Sequence, residues 1–214
     1  MQELSGSPYY RCIPIGRGTF RQCADIGSGI YRYAGAQGAV RAAGNRFIIV
    51  WKYAAKPLLE GGTGSSSRRQ EMPDFLPDRL ESGTHNIPGI AGLLQGIRYV
   101  RKRTPEQIAM HERTLIRALE RGLRRWDTVE VFASERETAQ VGVLSVRIKE
   151  RECEEVGAWL ADRGIAVRAG LHCAPMAHES AGTLETGTVR FSVSAFNTQA
   201  EIQTVLTQVG LLVR

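Results

Sequence analysis

At 214 residues, with 43% apolar and 23% charged residues, the chain has the composition of a globular protein with room for one large or two small domains. No run of 18 apolar residues occurs, which excludes a membrane-spanning helix, and Met1-Gln2-Glu3-Leu4 begins no basic-then-apolar leader. The net charge of +6 would allow an acidic partner or nucleic acid, but the cations are spread along the chain. Only Arg101-Lys102-Arg103 and Arg124-Arg125 cluster, and they read as solvated helix ends, where the dipole favours positive charge, rather than as a nucleic-acid site. Cys12, Cys23, Cys153 and Cys173 form no C-x-x-C pair, which argues against a zinc site or a disulfide framework and fits a reducing, cytoplasmic setting.

Residues 1 to about 45 are rich in Gly, Arg and Ala, with no sustained periodicity, and no element is assigned there. Phe47-Ile48-Ile49-Val50-Trp51 reads as a short buried strand, and Gly61-Gly62-Thr63-Gly64-Ser65-Ser66-Ser67 as a loop. Pro73-Asp74-Phe75-Leu76-Pro77 is a stiff extended piece. Asn86 or Thr84 can then cap a helix over about 87–101. In it Ile87, Ile90, Leu93, Leu94, Ile97 and Val100 recur at helical spacing and predict one buried face.

Thr104-Pro105-Glu106-Gln107 reads as a capping box with proline at the first helical position. The helix it opens, to about Trp126, should bury Ile108, Leu115, Leu119 and Leu123 and turn its Arg and Glu outward. Strands are expected at 129–132, 141–148, 165–167 and 189–196. Helices are expected at 152–163, ended by Gly164, and at 198–209, opened by the box Thr198-x-x-Glu201. From residue 104 the order is helix, strand, strand, helix, strand, loop, strand, helix, which predicts an α+β domain with helices on one side of the strands.

Three places carry possible chemistry. Cys173 follows Val167-Arg168-Ala169-Gly170-Leu171-His172, where a cation and an imidazole could lower the thiol pKa and favour the nucleophilic thiolate; packing as a small buried hydrophobe is the other reading. Arg190 lies inside an apolar strand, where it either grips a carboxylate through two parallel hydrogen bonds or forms a structural salt bridge, for example to Glu185. Gly61-Gly62-Thr63-Gly64 and Ser82-Gly83-Thr84 expose backbone N–H groups and hydroxyls, the second at a helix start that suits phosphate; neither matches a P-loop, and both also read as plain turns.

From about Pro57 onward these words occur together and in order. They are Pro57-Leu58-Leu59-Glu60-Gly61-Gly62-Thr63-Gly64, Leu80-Glu81-Ser82-Gly83-Thr84 with Pro88-Gly89-Ile90-Ala91-Gly92-Leu93, Arg168 to Pro175, and Gly182 to Ser192. In them the chain resembles a class V aminotransferase-fold enzyme of the cysteine desulfurase group, dependent on pyridoxal 5'-phosphate. The resemblance implies an α+β fold that is the C-terminal small domain of a fold type I transferase with a remnant of its large domain. It implies residues 1–45 as an atypical segment, 46–102 as the large-domain remnant and 103–214 as the small domain.

In such enzymes the cysteine matching Cys173 attacks the sulfur of an L-cysteine held on the cofactor, leaving alanine and an enzyme persulfide. The arginine matching Arg190 grips the substrate carboxylate, with Arg168 close to the same pocket. The threonine matching Thr84 reaches the cofactor phosphate of the other subunit, so a homodimer and a sulfur-acceptor protein are implied partners. These enzymes also hold the cofactor through a lysine in a His-Lys dipeptide ahead of a strand like Phe47–Val50. The stretch from Ile30 to Asn45 has no lysine, and Lys52 and Lys56 fall after the strand. The chain is therefore expected to be either an incomplete desulfurase-like enzyme or a non-catalytic remnant that dimerises or docks a partner. An exposed apolar patch around Ile87 to Leu94 would favour the second.

Overall fold

The computed structural model describes residues 30–33 and 47–50 as backbone, and residues 56–62, 68–136 and 139–213 with their side chains. The sequence readings of Trp51, of the loop at 63–67 and of most of residues 1–45 lie outside the described residues. Backbone contacts divide the chain into two compact units, Met1–Pro105 and Glu106–Arg214.

In the first unit, β1 (Ile30–Tyr33) and β2 (Phe47–Val50) pair antiparallel, with Ile30 opposite Val50 and Tyr33 opposite Phe47. The second strand is the one its apolar run predicts; the first has no comparable run and is defined by its partner. After a 3-10 turn at Asp78–Leu80 comes α1 (Ile87–Arg103). Of the two possible caps it uses Asn86, whose side-chain oxygen accepts a hydrogen bond from the Gly89 N–H at 3.1 Å. Its last turn holds Arg101, Lys102 and Arg103, the signs that the dipole favours there, and Thr104 ends it at φ 62°.

The expectation of a buried face on α1 fails. Ile87, Ile90, Leu94 and Ile97 remain 63%, 48%, 46% and 40% exposed, and the buried positions are Gly89 and Gly96. Helical spacing makes the stripe, but burial needs a covering surface, and among the described residues none covers it.

The second unit is built on α2 (Pro105–Leu123), β3 (Val129–Phe132), β4 (Val143–Ile148), α3 (Cys153–Ala161), β5 (Arg168–Gly170), α4 (Pro175–Ser180), β6 (Thr188–Ser192) and α5 (Gln199–Leu212). The four strands form one antiparallel sheet in the order β3-β4-β6-β5. Alternation along β4 sends Leu144, Val146 and Ile148 into the core, where they join Ile116, Leu119 and Leu123 of α2, Val156 and Leu160 of α3, Phe191 of β6 and Ile202 and Val209 of α5. The same alternation leaves Glu130, Ser145, Arg147, Arg168 and Arg190 on the opposite face.

Three expectations need correction here. The helix predicted to reach Trp126 stops at Leu123, because Arg125 and Trp126 donate to the carbonyls three residues back and tighten the chain into a turn. The strand expected at 165–167 instead pairs at Arg168–Gly170, and the polar loop after it contains α4, a short helix opened by Pro175. The outer face assigned to the glutamates of α2 is also wrong for two of them, since Glu112 and Glu120 are buried. Burial pushes the Glu120 pKa up, but hydrogen bonds and charge from Arg117 and Arg124 outweigh it and hold the carboxyl below its ordinary value. The box on α5 forms as read: Thr198 accepts from the Glu201 N–H, and the Glu201 carboxylate accepts from the Thr198 N–H at 2.6 Å.

One contact in this unit fixes the end of β5. Gly187 has φ 61°, and a Cβ there would lie 2.8 Å from the Cys153 sulfur and 3.1 Å from the Gly170 Cα. The start of β6, the end of β5 and the first turn of α3 thus meet where only a hydrogen fits.

Candidate active site

Beyond Gly170, itself at φ 101°, the chain places His172 at φ 52° and Cys173 at φ 59° before α4 begins at Pro175. Two successive non-glycine residues in the left-handed region cost roughly 1–2 kcal/mol each, so side-chain contacts must hold the turn. His172 supplies one: its Nε2 lies 3.1 Å from the Thr188 hydroxyl, and Thr188 is buried at the start of β6. Its ring centroid is 5.7 Å from that of His178, whose Nδ1 lies 2.8 Å from the buried Thr183 hydroxyl. The turn is pinned inward through His172, and Cys173 is left exposed. Of its two sequence readings, the buried hydrophobe is therefore excluded.

Burial lowers the His172 pKa, and the charges of Arg190, His178 and Arg168 add to the effect, so the imidazole is neutral at neutral pH. It holds the loop without contributing positive charge to the thiol, and the cations of this neighbourhood are the two arginines. The other described cysteine behaves in the opposite way. Cys153 is buried, and burial together with its hydrogen bond to the Glu154 carboxylate at 3.0 Å pushes its pKa up to about 11.

Arg168 and Arg190 stand directly opposite each other on β5 and β6. Like charges in that position repel. Arg190 is half-buried, its Nε is buried with no hydrogen-bond partner, and no ion pair joins it to the exposed Glu185. Among the described residues the structural salt bridge is thus absent. The remaining reading of Arg190, a guanidinium awaiting an anion, fits the unsatisfied Nε and the doubled charge. Sequence reasoning named both arginines but not their opposition, because register depends on a partner strand about twenty residues away. It also missed the His172–Thr188 and His178–Thr183 contacts, for which the spacing gives no signal.

Thr84 lies in the first unit, exposed, two residues before the Asn86 cap of α1. The two glycine loops singled out in the sequence meet here: the Gly83 N–H donates to the Gly62 carbonyl at 3.1 Å, and a Cβ on Gly62 would lie 2.8 Å from the Gly83 Cα. An exposed hydroxyl beside glycine backbone at a helix start suits the phosphate of pyridoxal phosphate. The lysine that the resemblance implies for the aldehyde end does not occur in Ile30 to Asn45.

The sequence profile described as aminotransferase class-V matches residues 50–205. A probable cysteine desulfurase of Xylella fastidiosa (strain Temecula1) is 33% identical over 169 residues, 68% of this chain and 40% of the relative. Another, from Methanothermobacter thermautotrophicus, is 30% identical over 186 residues, 83% of this chain and 46% of the relative. Among solved structures, the apo cysteine desulfurase of Thermococcus onnurineus NA1 superposes with a TM-score of 0.73 at 28% identity, covering 87% of this chain and 47% of that one. This chain spans less than half the length of these proteins. With the profile running from the end of β2 into α5, and the α+β architecture shared with a solved cysteine desulfurase, the chain belongs to the aminotransferase class-V family, in its cysteine desulfurase-type group.

Proposed function

We propose that this chain supplies the sulfur-accepting and carboxylate-binding part of a pyridoxal 5'-phosphate-dependent cysteine desulfurase. The observation that carries the reading is an exposed thiol on a strained turn beside two opposed, unpaired arginines. Arg190, with Arg168, holds the carboxylate of L-cysteine through parallel charge-assisted hydrogen bonds. The Cys173 thiolate attacks the substrate sulfur; the new S–S bond forms as the C–S bond breaks, leaving a persulfide on the enzyme and alanine as product. Thr84 and the glycine backbone beside it hold the cofactor phosphate, across the interface of a homodimer. Pyridoxal phosphate, when bound, supplies the electron sink for the carbon that loses sulfur. The lysine that anchors it comes from sequence other than residues 30–45. An exposed thiol suits a reducing, cytoplasmic compartment, and an acceptor protein then takes the persulfide sulfur.

Alanine and sulfide release from L-cysteine, measured with added cofactor and compared with Cys173→Ala, tests the reading. Release by the native chain that the variant lacks supports it, and equal background rates remove the enzyme reading for this chain by itself. The exposed stripe of α1 favours a second reading, a non-catalytic module that uses Ile87, Ile90 and Leu94 to dimerise or to dock a partner. Sedimentation of the native chain against Leu94→Ser decides it; an association state unchanged by the variant, together with alanine release, would leave only the enzyme.

A further inference from the structure

The site around Cys173 holds a nucleophile and an anion cradle within one unit of the fold. Along the sheet, the pair Gly170–Thr188 follows the pair Arg168–Arg190 on the same face, about 7 Å further on. His172 packs onto Thr188 and feels the charge of both arginines, so the turn carrying Cys173 sits within an arginine side chain's reach of the pair. The Arg190 Nε is buried and unsatisfied, and among the described residues no carboxylate forms an ion pair with either guanidinium. Two adjacent forks of donors match an oxyanion with several acceptor oxygens better than they match one another.

We propose that Cys173, served by the Arg168–Arg190 pair, takes sulfur from an anionic sulfane-sulfur donor of the thiosulfate class, with neither pyridoxal phosphate nor L-cysteine. The arginines hold the sulfonate oxygens and present the outer sulfur to the thiol. The Cys173 thiolate attacks that sulfur and an S–S bond forms to Sγ. The donor's own S–S bond breaks, its electron pair leaves with sulfite, and the negative charge ends on the terminal sulfur of the Cys173 persulfide. A thiol or cyanide then removes that sulfur and restores the thiolate, so no outside oxidant or reductant is consumed. The arginines assist twice, by binding the donor and by stabilising the departing sulfite.

The test uses the full chain, reduced, freed of reductant and incubated with thiosulfate. Intact and peptide mass spectra should show the gain of one sulfur atom on Cys173, and added cyanide should be converted to thiocyanate. Cys173→Ala should abolish both. Arg168→Gln, at an exposed position, and Arg190→Gln should each raise the KM for thiosulfate by about ten-fold, the loss of one charge-assisted contact. Sulfate should inhibit the native chain competitively more than chloride does at equal ionic strength, a measurement that needs no variant. The proposal is overturned if Cys173 gains no sulfur, if the gain appears on Cys153 instead, or if both arginine variants and sulfate leave the rate unchanged. The reaction omits cofactor and L-cysteine, so its failure leaves the desulfurase reading to its own alanine assay, and failure of that assay leaves this one standing.

Discussion

Two helices of this chain carry the same sequence signal and meet opposite fates. α1 and α2 each repeat apolar residues at helical spacing, yet Leu119 and Leu123 of α2 are sealed under the sheet while Ile87, Ile90, Leu94 and Ile97 of α1 face outward. The difference lies in what each helix meets. α2 is followed within six residues by a strand that folds back against it, and the sheet completes the cover. α1 has no such neighbour among the described residues. Periodicity therefore specifies a surface that needs covering, and tertiary or quaternary partners decide whether it is covered.

The contrast can be broken first at Leu119. Leu119→Ala should cost about 2–5 kcal/mol, read as a lowered urea midpoint, because it opens a cavity in packed core. Next, Glu120→Gln should cost about 1–3 kcal/mol by weakening two charge-assisted hydrogen bonds to a buried carboxyl. Its effect should vanish in acid, since a carboxyl held below its ordinary pKa stabilises the fold above the unfolded value and loses that contribution as pH falls through the folded value.

A smaller effect is expected at His172, whose pKa is lowered. Above about pH 6.5 the imidazole is neutral in both folded and unfolded chains. Below that the unfolded chain takes up a proton first, so stability should fall as pH drops toward the folded value and then level off. Urea midpoints across that window should be flatter for His172→Gln. Last, Leu94→Ser on α1 should change stability by no more than about 0.5 kcal/mol. A loss comparable to that of Leu119→Ala would show that the stripe is covered in solution.

What could be read from the sequence was local. The Thr198–Glu201 box, the end of α3 near Gly164, the Asn86 cap and the words around Cys173 and Arg190 all rest on residues within a few positions of one another. What escaped was long-range. β5 was displaced by three residues because its apolar run, Ile165 to Val167, says nothing about which residues bond to β6. The burial of Glu112 and Glu120, the neutrality of His172 and the opposition of Arg168 to Arg190 are likewise properties of pairs brought together by folding. At the site, sequence supplied the chemical groups, and the register of one short strand pair supplied their arrangement.

The contact at Gly187 has a consequence for how this chain can vary. A methyl group there would push against the Cys153 sulfur and the backbone of Gly170, and the turn bearing Cys173 starts at Gly170. Position 187 is thus a size gate for the thiol loop: replacing one hydrogen by a methyl group there should disturb Cys173 more than shortening Cys153 to alanine, which only relieves the crowding. Sequence drift at the buried thiol is tolerable in one direction, toward smaller side chains, while the glycine facing it has no substitute.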